Sequence, residues 1–465
     1  MSTVETVGLP EDRGIRPEHV HDLLEAGETE HLAELLSDLH PSDLADLLNE
    51  LDDDDRVALL DLLPADIASE TLAEMATEEH PAELLTALGP ERVGELVAEL
   101  PDDDAVDLIR HLEPEEQARI LASLPRLEAG TLRKLLQYDE ESAGGIMTTE
   151  LVAVSVHLTA AEAIEEVRRQ AHELGGEFYA IFVVDLLRRL LGTVSIQELV
   201  LADPRTPLRD LVEPPVATVT VDTDQEEVGR IIARYNIPSV PVVGPDNVLL
   251  GRITWDDVID VIEAEQTEDI LRLGGVVSEE EVRGTWHEAV RSRLPWLFVN
   301  LFTAAIAASV VGIFLPTIES FAVLAVIMPI IAGMGGNSGT QTLAVTVRRL
   351  ALTHESDARR WGVVGKELLV GLVNGAALGG FVAAASYFLG IVAPEYWPAT
   401  PMLGLVVLFA MWGNLIVASL AGAFVPILLE RLGVDPAIAS SIFVTTFTDL
   451  AGFFFLLGLA SLLLL

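Results

Sequence analysis

Five long apolar stretches fill the C-terminal part of the chain. Each extends over at least 22 residues. A helix needs about 20 apolar residues to cross a bilayer, so buried helices of a soluble domain would explain these stretches poorly. The pattern predicts a membrane domain over residues 291–465 with transmembrane helices at about 294–315, 321–347, 368–393, 402–429 and 436–463.

A short repeat of proline, acid and leucines occupies the first 138 residues. Pro41, Pro64, Pro90 and Pro114 are each followed within two residues by an acid, and then by leucines at helical spacing. Proline in a first turn and acids near the positive end of a helix are typical of helix starts. The repeat predicts an all-α superhelical N-domain over residues 1–138.

Residues 139–262 hold a second repeat, of strand–helix–strand–strand–helix character. Segments that begin at Met147 and Val212 align, and the two copies end in "LLGTVSIQELV" and "LLGRITWDDVI". This part resembles a tandem pair of cystathionine-β-synthase-type (CBS) domains, which are α+β regulatory modules that often bind adenine nucleotides or metal ions. The resemblance implies that Thr254 and Asp257 hold a ribose, with ATP as a candidate ligand, whereas Ser195 and Glu198 fit this role less well.

The segment 263–290 connects this repeat to the first apolar stretch. It continues the acidic sequence "DVIEAEQTEDILRLGG", which begins at Asp260 and reads as a helix. We expect a linking helix over residues 263–290 that couples the regulatory part to the membrane domain.

The charge of the chain is concentrated outside the membrane domain. The net charge is −45, and acids and bases balance within residues 291–465, so the first 290 residues carry the excess. Nucleic acid is an unsuitable partner for such a surface, and cations are suitable ones. Acidic sequences with only two lysines, Lys134 and Lys366, also suit a salt-rich cytoplasm of a halophile. The total charge therefore does not identify ion sites. The chain has no cysteine, which excludes disulfides and thiolate metal sites.

The positions of arginine and lysine predict the orientation in the membrane. They occur before the first span, between the second and third, and between the fourth and fifth, whereas the other two loops lack them. By the positive-inside rule, the N-terminus is cytoplasmic and the C-terminus lies outside. The N-terminal 20 residues are polar and acidic, and we expect no signal peptide.

Two spans carry polar chemistry. The second contains "PIIAGMGGNSGTQ", from Pro329 to Gln341, whose proline and glycines predict a broken helix lining water or buried in protein; close packing through small residues is the alternative. In the fifth, Asp449 is the only charge in residues 436–465. A carboxylate at the bilayer centre costs about 2.5–3.5 kcal/mol on insertion scales. The presence of Asp449 in this span is explained either by a structural role or by a position on a cation path.

With these segments, the whole chain resembles the MgtE family of magnesium transporters. The order of helical domain, CBS pair, linking helix and five spans matches, as do "GMGGNSGTQ" and "TDLAGFF". The resemblance implies a homodimeric, Mg²⁺-selective channel for Mg²⁺ uptake in a cell membrane. It also implies that Asp449 holds hydrated Mg²⁺ in the pore, with Thr445, Gly336 and Asn337 nearby.

The resemblance implies a gate as well. In this family Mg²⁺ bridges acids of the N-domain, the CBS pair and the linking helix, and so closes the pore when internal Mg²⁺ is ample. The matching acids here are Asp103, Asp107, Asp224, Asp257, Asp260, Glu265, Glu268 and Asp435. Asn236 stands where relatives can have an acid.

Two other functions stay open at this point. A secondary transporter coupling a divalent cation to H⁺ or Na⁺ could also use Asp449, although the spans as predicted contain no further ionisable group for the coupling. A membrane receptor would need neither Asp449 nor the polar second span. An enzyme is the least expected reading, because no acid–base pair, nucleophile or phosphate-binding loop stands out.

Overall fold

The computed structural model describes residues 15–36, 39–75, 81–174, 178–276, 286–352, 357–395, 397–398, 400–434 and 436–465. The chain divides into two compact units, Met1–Glu263 and Ala264–Leu465. The predicted fold class is confirmed: a helical N-domain and a CBS pair with small sheets are followed by five candidate membrane helices.

In the described residues of the N-domain there are ten short helices. They are α1 (Pro17–Ala26), α2 (Thr29–Leu36), α3 (Pro41–Asn49), α4 (Asp53–Leu62), α5 (Ala65–Ala73), α6 (Pro81–Leu88), α7 (Pro90–Val97), α8 (Asp102–Arg110), α9 (Pro114–Ser123) and α10 (Arg126–Leu135). Pro41, Pro90 and Pro114 open their helices, and Pro64 caps α5. The leucines of the repeat are buried between successive helices, as a stacked repeat requires.

Each CBS repeat contains a three-stranded sheet with a parallel and an antiparallel pair. Strand β2 pairs with β1 in parallel and with β3 antiparallel, and β5 pairs with β4 and β6 in the same way. The elements are β1 (Val152–Ser155), α11 (Ala160–Leu174), β2 (Ile181–Val184), β3 (Leu190–Val194), α12 (Ile196–Leu201), β4 (Val219–Thr220), α13 (Gln225–Tyr235), β5 (Ser239–Val243), β6 (Leu249–Thr254) and α14 (Trp255–Leu273).

The repeated "LLG" has a structural reason. A Cβ on Gly192 would collide with the carbonyl oxygen of Glu213, and one on Gly251 would lie 2.6 Å from that of Thr148. Each glycine thus lets a strand of one repeat approach the backbone at the start of the other, where isolated bridges form.

The helix expected over 263–290 begins earlier, at Trp255, as the last helix of the second CBS repeat. It ends at Leu273, residues 277–285 lie outside the described residues, and the next helix begins at Trp286. One continuous helix therefore crosses the boundary between the two units, since this boundary follows Glu263.

The described part of the membrane domain contains six helices: α15 (Trp286–Ile313), α16 (Leu315–Ser320), α17 (Val323–Leu352), α18 (Asp357–Val392), α19 (Pro401–Arg431) and α20 (Pro436–Leu463). All except α16 are long and apolar enough to span a membrane. Helix α19 is the most buried, with α17, α18 and α20 packed around it.

The predicted break in the second span is wrong. Helix α17 is continuous through Pro329 and all its glycines. The glycines of its buried face receive side chains from α19 and α20 instead, so these small residues serve close helix packing rather than unwinding.

Candidate ion path and acid cluster

Asp449 lies partly exposed on α20 in a turn rich in threonine. Thr445, Thr446 and Thr448 donate their hydroxyl hydrogens to carbonyl oxygens three or four residues earlier in the same helix, at 2.6–3.0 Å. Among the residues that the structure describes, none donates a hydrogen bond to the Asp449 carboxylate. Water, an ion or a second protein chain is left to solvate it.

Helix α17 has two faces of opposite character. On the buried face, a Cβ on Gly335 would collide with the amide of Asn414, and one on Gly339 would lie 2.5 Å from Val444. On the other face Asn337, Thr340 and Gln341 are exposed, and a Cβ on Gly336 would meet nothing within 4 Å. The motif thus combines a packing face with an exposed polar face in a membrane helix.

A buried amide of α19 lies against both helices that carry the predicted pore residues, α17 and α20. Asn414 of α19 is fully buried and donates a hydrogen bond to the carbonyl oxygen of Ile331, at 2.9 Å. A Cβ on Gly335 or on Gly452 would collide with this amide or approach it closely. Since Gly335 precedes Gly336 and Gly452 follows Asp449 by one turn, the predicted pore residues lie on neighbouring turns of adjacent helices.

A second group of carboxylates, here called the acid cluster, comprises Asp103 and Asp104 of α8 and Asp257 and Asp260 of α14. Asp103 is only 8% exposed, and its Oδ1 has no hydrogen-bond partner among the described residues. Burial, followed by the charges of Asp257 and Asp104, raises its pKa well above the usual value. Burial and Asp257 likewise raise the pKa of Asp104 to about 7.

Burial is also the main cause of the pKa shifts on α14. Burial raises the pKa of Asp257, against the hydrogen bonds that Thr254 donates to it, and burial together with Asp257 raises the pKa of Asp260. Carboxylates in such an arrangement must take up protons or bind a cation to relieve their repulsion. Carboxylate oxygens suit Mg²⁺ as ligands, but among the described residues no three side chains of this cluster bring their oxygens within 4.8 Å of one another.

The other predicted regulatory acids have varied surroundings. Asp107 is 56% exposed, with Oδ1 3.9 Å from Nε of Arg110. Asp224 caps α13 by accepting a hydrogen bond from the Glu226 amide at 2.9 Å. Asn236 ends the same helix in a left-handed conformation.

On the linking helix, Glu265 and Glu268 lie three residues apart, and Glu268 pairs with Arg272. Asp435 lies outside the described residues. The end of this helix reaches the second span, where Leu273 packs against Leu343 and Val347 of α17.

The predicted nucleotide residues cap helices in both CBS repeats. Thr254 donates its hydroxyl hydrogen to Asp257 Oδ2 at 2.5 Å, and its amide donates to the same oxygen at 3.1 Å. Ser195 and Glu198 form the equivalent pair, a complete capping box. The Thr254–Asp257 pair differs from the Ser195–Glu198 pair because Asp257 also belongs to the acid cluster.

Sequence reasoning missed two acids. Asp104 of the acid cluster belongs to the run Asp102–Asp104, which signalled an acidic helix start but not which carboxylate is buried. Glu367 is 5% exposed within the third span, Trp361–Val392. The predicted span began one residue after it, and for that reason this buried carboxylate was not recognised as intramembrane.

Comparison with known proteins covers most of the chain. The profile of a family described as a divalent cation transporter, MgtE, matches residues 328–459. The profile of the MgtE intracellular N domain matches 13–63 and 39–141, and that of the CBS domain matches 143–205 and 208–264.

Relatives that match over about three quarters of the chain agree. The magnesium transporter MgtE of Enterococcus faecalis is 38% identical over 335 residues, 72% of either chain. That of Thermus thermophilus is 38% identical over 363 residues, 77% of either chain. A crystal structure of the cytosolic domain of the Mg²⁺ channel MgtE in complex with ATP is 38% identical, with a TM-score of 0.49, and covers 52% of this chain and 98% of its own. Because it is 38% identical to the two transporters over 72% and 77% of their length, the chain belongs to the MgtE family of magnesium transporters.

Proposed function

We propose that the protein is a Mg²⁺-selective channel for Mg²⁺ uptake. The observation that carries this proposal is Asp449, a carboxylate inside a membrane helix for which the described residues supply no donor. Intramembrane acids of this kind mark ion paths. The relatives at 38% identity are named magnesium transporters, which favours Mg²⁺ as the cargo.

A homodimer gives this single carboxylate its selectivity. Mg²⁺ dehydrates reluctantly and binds through one or two carboxylates while it keeps several waters. Two copies of Asp449 on a two-fold axis would form a doubly negative ring around the hydrated ion. The exposed face with Asn337 and Gly336, together with Thr445, would contact the water shell.

The orientation follows from the loops. Within residues 291–465, Arg and Lys occur only near the start of the first span, between the end of the second span and the first turns of the third, and at the end of the fourth. The positive-inside rule then gives a multi-pass cell-membrane protein with a cytoplasmic N-terminus and an external C-terminus.

Cytosolic Mg²⁺ closes the channel through the acid cluster. Repulsion among Asp103, Asp104, Asp257 and Asp260 opposes the packing of α8 on α14, and a bound cation removes this repulsion. Helix α14 continues beyond the cluster to Leu273, which contacts α17. Asp107, Asp224, Glu265, Glu268 and Asp435 are further candidate ligands.

Thr254 and Asp257 form the candidate ribose site for ATP in the second CBS repeat. Because Asp257 also belongs to the acid cluster, a nucleotide there would compete with or support the regulatory cation. Binding of ATP with and without Mg²⁺, compared between wild type and Thr254→Val, tests this part.

Coupled transport is the second candidate, and one observation favours it. Glu367 is a second acid in the spans and, unlike Asp449, is buried; coupling to H⁺ or Na⁺ usually requires a further ionisable group of this kind. Mg²⁺ flux that follows an imposed pH or Na⁺ gradient would support a coupled transporter, whereas flux that follows only the Mg²⁺ gradient and voltage would support the channel.

The decisive experiment measures Mg²⁺ flux into liposomes that contain wild type or Asp449→Asn. Glu319→Gln removes an exposed carboxylate from the same domain and is the matched control. Loss of flux in Asp449→Asn alone, with the variant still folded, supports the ion path. Equal flux in all three proteins would mean that Asp449 is structural and that the ions pass elsewhere.

A further inference from the structure

Glu367 is a carboxylate buried inside the membrane domain. It lies on α18 at 5% exposure, and burial of an acid at this depth is costly unless a specific function retains it. The Glu367 side chain is enclosed by its own protomer, whereas the Asp449 side chain is partly exposed.

Both carboxylate oxygens of Glu367 have partners. Thr342 of α17, itself 4% exposed, donates its hydroxyl hydrogen to Oε2 at 3.2 Å. Lys366 Nζ lies 3.2 Å from Oε1 and is largely exposed. The buried oxygen therefore connects α18 to the helix that carries "GMGGNSGTQ".

Helices α17 and α18 scarcely touch otherwise. Each packs along α19, and few residues of the two approach each other directly. On α19, a Cβ at Gly422 would lie 2.9 Å from the Cβ of Thr342, so the glycine leaves room for the threonine at this junction. The bond from Thr342 to Glu367 is thus a polar link across a three-helix junction.

The link lies between two functional parts of α17. Asn337, on the exposed polar face, precedes Thr342 by five residues. Leu343 and Val347, which pack with Leu273 of the linking helix, follow Thr342 by one and five residues. A displacement of α17 at Thr342 would therefore move the predicted ion path relative to the contact that the linking helix makes.

We propose that Glu367 is a positioning residue, whose hydrogen bond with Thr342 holds α17 in the conducting arrangement. This inference rests on the proposed function for its flux readout. Glu367 touches no ion in this scheme; it acts through the position of α17.

The test compares variants that keep or remove the hydrogen bond. Glu367→Gln retains an acceptor for Thr342, and we expect its Mg²⁺ flux to stay within about twofold of wild type. Glu367→Ala and the isosteric Thr342→Val each remove the bond. We expect each to lower maximal flux about tenfold, as for a lost hydrogen bond to a charged group, with an unchanged half-saturating Mg²⁺ concentration. The double variant should be no worse than either single variant.

Thr346→Val is the matched control. Thr346 is equally buried on the same helix, but its hydroxyl donates only to the carbonyl oxygen of Thr342, at 2.8 Å. Its flux should match wild type. If Thr346→Val and Thr342→Val lose flux alike, the effect comes from burying valine in α17 and the proposal fails.

Hydrogen exchange provides a readout that does not depend on transport. Backbone amides of residues 333–347 should exchange faster in Glu367→Ala and Thr342→Val than in Glu367→Gln and Thr346→Val. This difference in exchange rate does not depend on transport. If it were observed while the wild-type protein carried no Mg²⁺, the proposed function would fail but the positioning role of Glu367 would stand. Unchanged exchange overturns the positioning role, and loss of flux in Glu367→Gln overturns it in favour of an acid on the ion path.

Discussion

The acid cluster and Asp449 place carboxylates in opposite situations. In the cluster, burial destabilises each carboxylate most, and for Asp103 and Asp104 the next largest effect is the charge of Asp257. Asp449 has no charged neighbour acting on it among the described residues, and its environment supplies no donor. A cation bound at the cluster would displace protons from the carboxylates, and it would oppose the repulsion that drives α8 and α14 apart. A cation at Asp449 replaces solvation that the protomer does not provide.

This difference predicts different kinds of response. Removal of one carboxylate from the cluster leaves other ligands and reduces repulsion, so the site changes its affinity gradually. Removal of the charge at Asp449 leaves no other carboxylate of the predicted pore set to hold the ion. The cluster is therefore suited to setting a threshold, and Asp449 to an all-or-none role in conduction.

The largest effect is expected at Asp449. We expect Asp449→Asn to reduce Mg²⁺ flux to the background of protein-free liposomes. Asp449→Glu keeps the charge but displaces it, and we expect it to retain part of the flux with altered preference between Mg²⁺ and Co²⁺. If Asp449→Asn and Asp449→Glu reduce Mg²⁺ flux to the same extent, the geometry of the side chain decides the flux rather than its charge. The contrast between Asp449 and the acid cluster would then be lost.

Asp257→Asn should shift the gate without abolishing flux. Because the number of charged ligands tunes cation affinity over decades, we expect the Mg²⁺ concentration that closes the channel to rise about tenfold. Maximal flux at low internal Mg²⁺ should stay at the wild-type level. Asp185→Asn, an exposed acid of the first CBS repeat outside the cluster, is the control. An unchanged threshold would exclude Asp257 as a regulatory ligand.

The pKa shifts of the cluster give a pH dependence with a definite sign. Asp104 has a pKa of about 7 in the folded chain and an ordinary value of 3.8. A carboxyl whose pKa is raised by folding stabilises the fold at low pH, and this contribution is lost as pH rises from about 4 through about 7. In metal-free buffer, the melting temperature of the cytosolic part of the full-length protein should fall by several degrees over this interval.

Mg²⁺ should cancel this decrease, because it binds the deprotonated cluster. The Asp104→Asn variant, which cannot ionise, should show a flatter profile in metal-free buffer. A melting temperature that rises with pH in metal-free buffer would contradict the assigned cause.

Sequence predicted those features that depend on local pattern. Span length, the proline repeat and the duplicated "LLG" each leave a periodic signal, and Asp449 stands out as a single charge in an apolar run. The continuity of α17 was mispredicted because the partners of its glycines, Asn414 and Val444, come from other helices.

The missed acids have the same origin. Asp104 is one of three successive aspartates, and only the packing of α8 near Asp257 distinguishes it from an exposed cap. Glu367 lies at the edge of an apolar run, and its partner Thr342 is 25 residues earlier. Tertiary packing decides burial in both cases, and a single sequence carries no direct signal of it.

The smallest effect concerns an aspartate that already has a cationic partner. Nδ1 of His21 on α1 lies 2.6 Å from Oδ2 of Asp55 on α4. The hydrogen bond and charge of Asp55 raise the pKa of His21 above 6.5. This pair stabilises the fold fully below pH 6.5 and loses its effect as pH rises through the raised value. His21→Asn should thus lower the melting temperature slightly at pH 6 and not at pH 9. His19→Asn, on the same exposed helix, should lower it at neither pH. At pH 6 this pair should respond less to millimolar Mg²⁺ than the acid cluster does, because the protonated imidazole offsets part of the negative charge of Asp55 and the nearby Asp52. A Mg²⁺-dependent shift of the melting temperature at pH 6 that is lost in His21→Asn would contradict this expectation.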